Sequence, residues 1–466
     1  MTSTQTKSRP ALYYLGMFMA LAMLAAILLA AEPSYAAGTT FTVDSAVDGS
    51  DADQTDNVCD ADVSSARVCT LRAAIEQANT NNNPEQVDRI NFNIPGTGVR
   101  TISPNSELPE VIEQVTIDGY SQPGASPNTK AVGTNAKLLV QLAGTNAGEF
   151  TNGLTIDAPN SVVRGLVINR FGDGIVVKEG SNSSKIEGNF IGTDPSGTID
   201  RGNEFQGVFL FFNSAATTVG GTSPASRNLI SGNDGVGVKI FVSTNNVVLG
   251  NLIGTRRDGT GTLGNADQGV DMFGSSVNAV GDGSAAGANT IAFNGRDGIA
   301  VEDDTSIGNA ISRNSIFSNG GLGIDLIGPG EDSSTNVSTP NDGDNPNTPQ
   351  VDTDGDSGPN GLQNYPVLTS ARNGSGKTTI TGKISGRPNS GFDVQFYSNP
   401  GGNEGKKFIG EKFVRADASG NASFTFTPSS KVAAGQTLTA TARSVNLDAS
   451  FGDTSEFSAP RKVVAL

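Results

Sequence analysis

Seven times between residues 153 and 326 a glycine is followed by an apolar residue, a spacer and a second apolar residue. The sites are Gly153-Leu154-Thr155-Ile156, Gly174-Ile175-Val176-Val177, Gly207-Val208-Phe209-Leu210, Gly237-Val238-Lys239-Ile240, Gly269-Val270-Asp271-Met272, Gly298-Ile299-Ala300-Val301 and Gly323-Ile324-Asp325-Leu326. Two apolar residues around one spacer put both side chains on the same face of a strand. So short a strand cannot bury that face alone. Its recurrence means that it stacks on its own copies.

A second series runs beside the first. Asn-x-Ile occurs at Asn189/Ile191, Asn228/Ile230, Asn251/Ile253, Asn289/Ile291 and Asn314/Ile316, with the asparagines 39, 23, 38 and 25 residues apart. The alternation makes the duplicated unit two coils, one lean and one carrying an insert. The inserts echo each other: Ile191-Gly192-Thr193 continues to Thr198 as Ile253-Gly254-Thr255 continues to Thr260. They are predicted to emerge on one flank. A lean coil has room for three strands of about 5 residues, with Gly, Asn and Asp supplying the corners. The recurrent asparagines read first as an amide ladder and second as a row of sugar-binding groups. Helical periodicity is missing. The stretch 111–330 resembles a right-handed parallel β-helix of about nine coils, on the order of 40 Å long at ~4.8 Å per coil. Val111–Ile117 and Leu138–Leu142 are its expected first strands.

Composition narrows the function classes. The 466 residues carry a formal charge of −16 and contain no His and no Trp. Lacking His, the chain cannot use Ser-His-Asp triads, Cys-His pairs or His-ligated zinc. Its acidity argues against nucleic acid or an anionic membrane as partner. Residues 1–36 read as an export signal: Lys7 and Arg9, an apolar run from Ala11 to Ala31, and a Ser34-Tyr35-Ala36 cleavage site. An uncleaved anchor is the alternative, because the run approaches membrane-spanning length. No later segment is apolar enough to span a bilayer. In an exported chain the two cysteines, Cys59 and Cys69, favour a disulfide.

Residues 37–110 are read as an N-terminal cap, since an open solenoid end exposes its core. One helix is expected, from Cys69 to Asn79, with Leu71, Ala74, Ile75 and Ala78 on one face. The run Cys69-Thr70-Leu71-Arg72-Ala73-Ala74 is similar to the CSLREA motif of exported bacterial β-helix proteins, with Thr70 for Ser and Ala73 for Glu. Ile90–Gly96, Thr116–Gly124, the Ile-Gly-Thr inserts and Thr454-Ser455-Glu456-Phe457-Ser458 share the resemblance. It implies architecture and export, and no activity.

After Leu326 the pattern collapses into an acidic linker, 331–364. Asp352, Asp354 and Asp356 alternate in a Gly-containing loop that could direct oxygens at calcium, although Ser357 and Gln363 depart from the EF-hand pattern. A solvated linker is the other reading, and no other cofactor is expected. The irregular Asp51, Asp53, Asp56, Asp60, Asp62 loop is a weaker calcium candidate. Residues 365–466 contain strand-like runs at Thr378–Ile384, Phe392–Tyr397, Phe408–Val414, Ala422–Phe426 and Thr437–Ala442. They suggest an immunoglobulin-like β-sandwich. The expected fold class is therefore all-β: a β-helix with a short capping helix, then a sandwich.

Two functions remain open. The first is a non-enzymatic scaffold or adhesion-type protein of a bacterial surface or extracellular space, with carbohydrate or other surface proteins as partners. The second is a polysaccharide lyase or glycoside hydrolase, which needs clustered carboxylates or a carboxylate with a base. Asp271 and Asp303 could be acid and base, with Arg256 or Arg257 holding an anionic sugar. Asp173, Asp234 and Asp297 each precede a glycine and are expected near-stacked at corners. Aspartate before glycine is also an ordinary turn signal, so the sequence nominates no catalytic residue.

Overall fold

The computed structural model describes residues 36–61, 67–80, 86–328, 338–339, 341, 358–445 and 451–465. Among these, three parallel sheets organise the chain up to residue 328. The first has nine strands, from Ala36–Val43 to Ala310–Ile311. The second has eight, from Arg100–Ile102 to Ser315–Phe317, and the third has seven, from Leu154–Ile156 to Ile324–Ile327. The chain visits the three sheets in turn, and each strand pairs with its counterpart one coil on. The repeat therefore builds a parallel β-helix. The seven glycine motifs are the third sheet, and the Asn-x-Ile motifs lie in the second. Ile191, Ile230, Ile253, Ile291 and Ile316 fall in one register column and are buried.

Each motif glycine sits where the next coil allows no side chain. A Cβ on Gly237 would lie 2.6 Å from the Gly269 carbonyl oxygen and 2.8 Å from Asn265 Nδ2. The asparagines form the amide ladder. Asn228 Nδ2 donates to Asn251 Oδ1 at 3.0 Å, and Asn251 Nδ2 to Asn289 Oδ1 at 3.1 Å. Two further ladders went unread in the sequence. Asn203, Asn233, Asn265, Asn294 and Asn319 link at the corner between the second and third sheets. Asn246, Asn278 and Asn309 link at the corner between the third and first. Side-chain amide hydrogen bonds thus run from coil to coil through all three corners.

The stacking starts earlier than residue 111. Ala36–Val43 pairs with Gln86–Phe92, which pairs with Val115–Asp118, so part of 37–110 is itself solenoid. These strands alternate without the glycine signature, which is why the repeat did not announce them. The helix Leu71–Thr80 lays Leu71, Ala74, Ile75 and Ala78 into the same core as Phe41, Val43 and Ile90. Thr70 accepts from Ala73 N at 3.1 Å, so its hydroxyl caps the helix as a serine would. Arg72 pairs with Asp48 at 2.9 Å, and Ala73 is fully buried. Cys59 and Cys69 form a disulfide.

Beyond the rod, two sheets of four and five strands, mostly antiparallel, face each other as a sandwich, with Ile380, Phe392, Phe396, Phe424 and Leu438 between them. The sandwich closes the rod. Gly405 exchanges both backbone hydrogen bonds with Ile316, each 3.0 Å. Ile311 N donates to Thr454 Oγ1 at 2.9 Å and Leu326 N to Glu456 Oε1 at 3.1 Å. Residues 358–364, expected as linker, also dock: Asn360 Oδ1 accepts from Asn309 N at 3.0 Å and extends the third ladder. No helix among the described residues is long and apolar enough to cross a membrane.

Candidate functional site

The outer flanks of the rod differ. Over the second sheet, Ala136, Leu138, Val167, Phe190, Leu229 and Leu252 form a buried apolar layer. Arg257, on the second insert, spans it. Its guanidinium donates to the carbonyls of Thr134 and Ala136 at 3.1 and 3.0 Å and lies 5.8 Å from the Phe190 ring centroid. The inserts do emerge on one flank, and Arg257 N bonds Gly197 O across them. Arg257 is packed into that flank, and Arg256 stands exposed on the same insert over the second sheet, whereas Asp271 lies on the third.

The third sheet presents its spacer residues outward. Register places Phe209, Lys239, Asp271, Ala300 and Asp325 in one column, one residue per coil. Two residues along each strand, a second column reads Phe211, Phe241, Phe273 and Glu302. The rings stack coil on coil: Phe211–Phe241 at 6.0 Å and 8°, Phe241–Phe273 at 5.4 Å and 16°. Phe209 meets Phe211 edge-on at 5.1 Å, and Phe212 lies 6.1 Å from it. Phe211 and Phe212 are exposed, at 37% and 47%. They end the stack at a groove lined also by Asp157, Lys178, Glu179 and Gly180.

At its other end the stack runs into charge. Lys239 Nζ donates to Asp271 Oδ2 at 2.7 Å. Asp271 is 2% exposed, and its Oδ1 has no hydrogen-bond partner; nor has Oδ2 of Asp297. Burial raises Asp271, and the Lys239 ammonium opposes it. Glu302 is half-buried. Its carboxyl is pushed up to about 7 by burial and then by the charge of Asp271, against Lys239 and Arg296. Asp303, the partner foreseen for Asp271, stands outside this group. It takes a left-handed backbone (φ 78°) just past the strand, and its carboxylate accepts from Thr305 N at 2.9 Å. A bond from the Thr305 hydroxyl, and then that backbone bond, hold its pKa below the usual carboxylate range. Glu302, one residue earlier, occupies the position by Asp271 instead.

Asp173, Asp234 and Asp297 are not near-stacked: Asp173 and Asp297 align in register but four coils apart, with Gln206, Val236 and Gln268 between them. Each of these two aspartates precedes a third-sheet glycine and accepts a backbone N–H from the next coil, Gln206 N at 2.9 Å and Leu322 N at 2.6 Å. Asp234 precedes Gly235, outside that column. In the Asp51–Asp60 loop the carboxylates cap local turns: Asp51 accepts from Asp53 N and Asp60 N, and Asp53 from Thr55 N. Among the described residues no three His, Cys, Asp or Glu side chains are arranged to hold a metal ion. Asp352, Asp354 and Asp356 lie outside the described residues, as do Asp62 and residues 1–35, where an export signal is expected.

Burial raises Asp173 to about 6 as it raises Glu302 to about 7. A carboxyl raised on folding favours its neutral form in the fold. Its contribution is complete below the unfolded value near 4 and is lost as pH climbs through 6 to 7. The melting temperature is expected to fall by roughly 2–5 °C between pH 5 and pH 8. Scanning calorimetry at constant ionic strength checks this, and a steady rise over that range would contradict it.

No family model and no curated protein matches the chain. Solved structures similar to it include the enzymatically active domain of bacteriophage CBA120 tailspike protein 2, at 12% identity and a TM-score of 0.21 over 81% of this chain and 66% of that one. The Dettilon tailspike protein is similar at 14% identity and a TM-score of 0.21, over 86% and 93%. The chain thus spans just under two thirds of the first of these. Its fold assignment stands on its own three sheets.

Proposed function

We propose that this is an extracellular protein that binds a glycan along the outer face of the third sheet. The phenylalanine column carries the reading. Packing leaves the rings of Phe211 and Phe212 substantially in water, where a contiguous apolar patch costs solubility unless something covers it. Aromatic rings beside polar groups are a standard platform for the apolar faces of sugars, and Phe serves where Trp is lacking. The spacing supports a polymer, since one ring per coil repeats at ~4.8 Å, close to the length of a pyranose unit. The disulfide and the export-like N-terminus support an extracellular setting. The rod would display the face and the sandwich would hold the rod closed.

The acidic flanks favour a neutral glycan. Asp157 and Glu179 outnumber Lys178 at one end of the column, and Lys239 at the other is already paired with Asp271, so a uronate or sulfated chain finds no unpaired cation beside the rings. This weighs against the polysaccharide lyase reading. Affinity electrophoresis of the full chain through gels of neutral and anionic polysaccharides tests the proposal. Retardation by a neutral polymer is expected, with Phe211→Ala/Phe241→Ala weakening it about tenfold or more. Equal retardation of the double variant, or none of the wild type on any polymer, would remove the reading.

A further inference from the structure

We propose that the groove at the foot of the phenylalanine column receives the terminal sugar of the glycan, so that the protein grips a chain end; this rests on the binding function above. One residue past the paired positions Leu210, Val177 and Ile156, the column runs down the rod as Phe211, Lys178 and Asp157. The rings therefore stop at Phe211. Phe241 stacks on one face of that ring. On the side of the earlier coils lies the groove, about 280 Å³ in volume, lined by Asp157, Lys178, Glu179, Gly180, Phe211 and Phe212.

Lys178 both opens this groove and closes the line beyond it. Its ammonium donates to Glu110, which precedes Val111, and Val111 bridges Ile156 from the coil below. Lys178 stands one coil above Ile156. Its side chain therefore reaches down across the Asp157 coil and not up onto the Phe211 ring. The ion pair lies across the column's line just past the groove, and Thr155, an outward spacer beside Asp157, is only 4% exposed. A polymer that follows the rings from Phe273 to Phe211 meets this bar, and its last unit falls in the groove. There the apolar face of a sugar has the Phe211 ring. Its hydroxyls have two carboxylates, which accept them in charge-assisted bonds: exposed Glu179 and half-buried Asp157, whose Oδ1 also accepts from Gly180 N at 2.9 Å.

Phe212 supplies an independent sign of use. Its φ of 39° is left-handed, a costly conformation for a bulky residue. The same corner position is Val242, Gly274 and Asp303 in the next three coils, at φ 48°, 57° and 78°. The corner thus imposes the conformation but not the ring, since glycine and aspartate serve there. Burial does not repay the cost, because Phe212 is 47% exposed. A contact made only with ligand bound does explain a phenylalanine at the mouth of the groove.

The test uses the full chain and a neutral polysaccharide that retards it in the gel assay. Fragments of that polymer, about a tenth as long, and the intact polymer compete for retardation at equal mass. If ends are bound, the fragments compete about tenfold better, because they carry that many more ends. Equal competition by mass would overturn the chain-end reading and leave glycan binding standing; no retardation by any neutral polymer would overturn both. Phe212→Gly should bind the fragments about tenfold more weakly while melting no lower than wild type, since glycine accepts a left-handed backbone. Undiminished fragment binding by this variant would overturn the assignment of the groove. A melting temperature lower by more than about 3 °C would give the ring a packing role and overturn its assignment to the ligand.

Discussion

Replacing Asn251 with alanine is expected to cost the rod about 3–5 kcal/mol, although the residue touches no proposed ligand. Its side chain is 1% exposed. Oδ1 accepts from Asn228 N and Nδ2, at 3.3 and 3.0 Å. Nδ2 donates to Val219 O at 2.9 Å and to Asn289 Oδ1 at 3.1 Å. Truncation orphans two donors on the coil below and a carbonyl at the corner, all in the dry interior. Each such group costs about 1–3 kcal/mol. Hydrogen bonds made in exchange for water contribute less, so the loss comes from what remains unpaired. Asn105→Ala, at an exposed position, should stay within about 0.5 kcal/mol of wild type. Chemical denaturation followed by circular dichroism compares the two. An Asn251→Ala midpoint equal to that of Asn105→Ala would mean that the ladder does not hold the corner.

The ladder at this corner was legible because Asn-x-Ile ties each asparagine to a buried isoleucine two residues on. The other two carry the same kind of signal and went unread. Asn203, Asn233, Asn265, Asn294 and Asn319 each stand four residues before a motif glycine, and Asn246, Asn278 and Asn309 two before Val248, Val280 and Ile311; the variable spacing from the preceding strand makes them look like ordinary loop asparagines. The glycine column was legible for the opposite reason: backbone packed on backbone admits only one residue type. The candidate site was half legible. The spacer positions were known to face out, and aligning the motif glycines already makes Lys239 and Asp271 neighbours; which side chains then meet across columns needs the coordinates. Asp303 and Glu302 differ by one residue, and in a strand one residue reverses the face; here it also separates the strand from the turn. The phenylalanine column was open to the same reading: Phe211, Phe241 and Phe273 each stand four residues after a motif glycine, and the strand register stacks them.

Ending the chain after residue 328 is expected to drive the rod into end-to-end oligomers or aggregate beyond the state of the full chain. A parallel β-helix terminates in three strand edges and an open core, which invite another chain. Here the sandwich answers each edge separately. Thr454 receives Ile311 N on the first sheet, the Gly405 backbone pairs with Ile316 on the second, and Glu456 receives Leu326 N on the third. Phe457 joins the rod's own core cluster, and its ring lies where a Cβ on Gly323 would stand, 2.8 Å away. Glu404 takes the last amide of the second ladder, Asn319 Nδ2, at 3.0 Å. The run Thr454-Ser455-Glu456-Phe457-Ser458 therefore belongs to the rod's end as much as to the sandwich. Light scattering behind size exclusion would compare the full chain, 1–328, and Thr454→Val/Glu456→Leu/Phe457→Ala in the full chain. The triple variant keeps the sandwich but removes two edge acceptors and the ring in the core, so it should associate as the truncation does, at higher concentration. A truncated chain that keeps the full chain's association state and melts with it would show that the rod needs no cap. The full chain's association state in the triple variant alone would place the cap in the Gly405 pairing and Glu404, leaving those two contacts to close the rod.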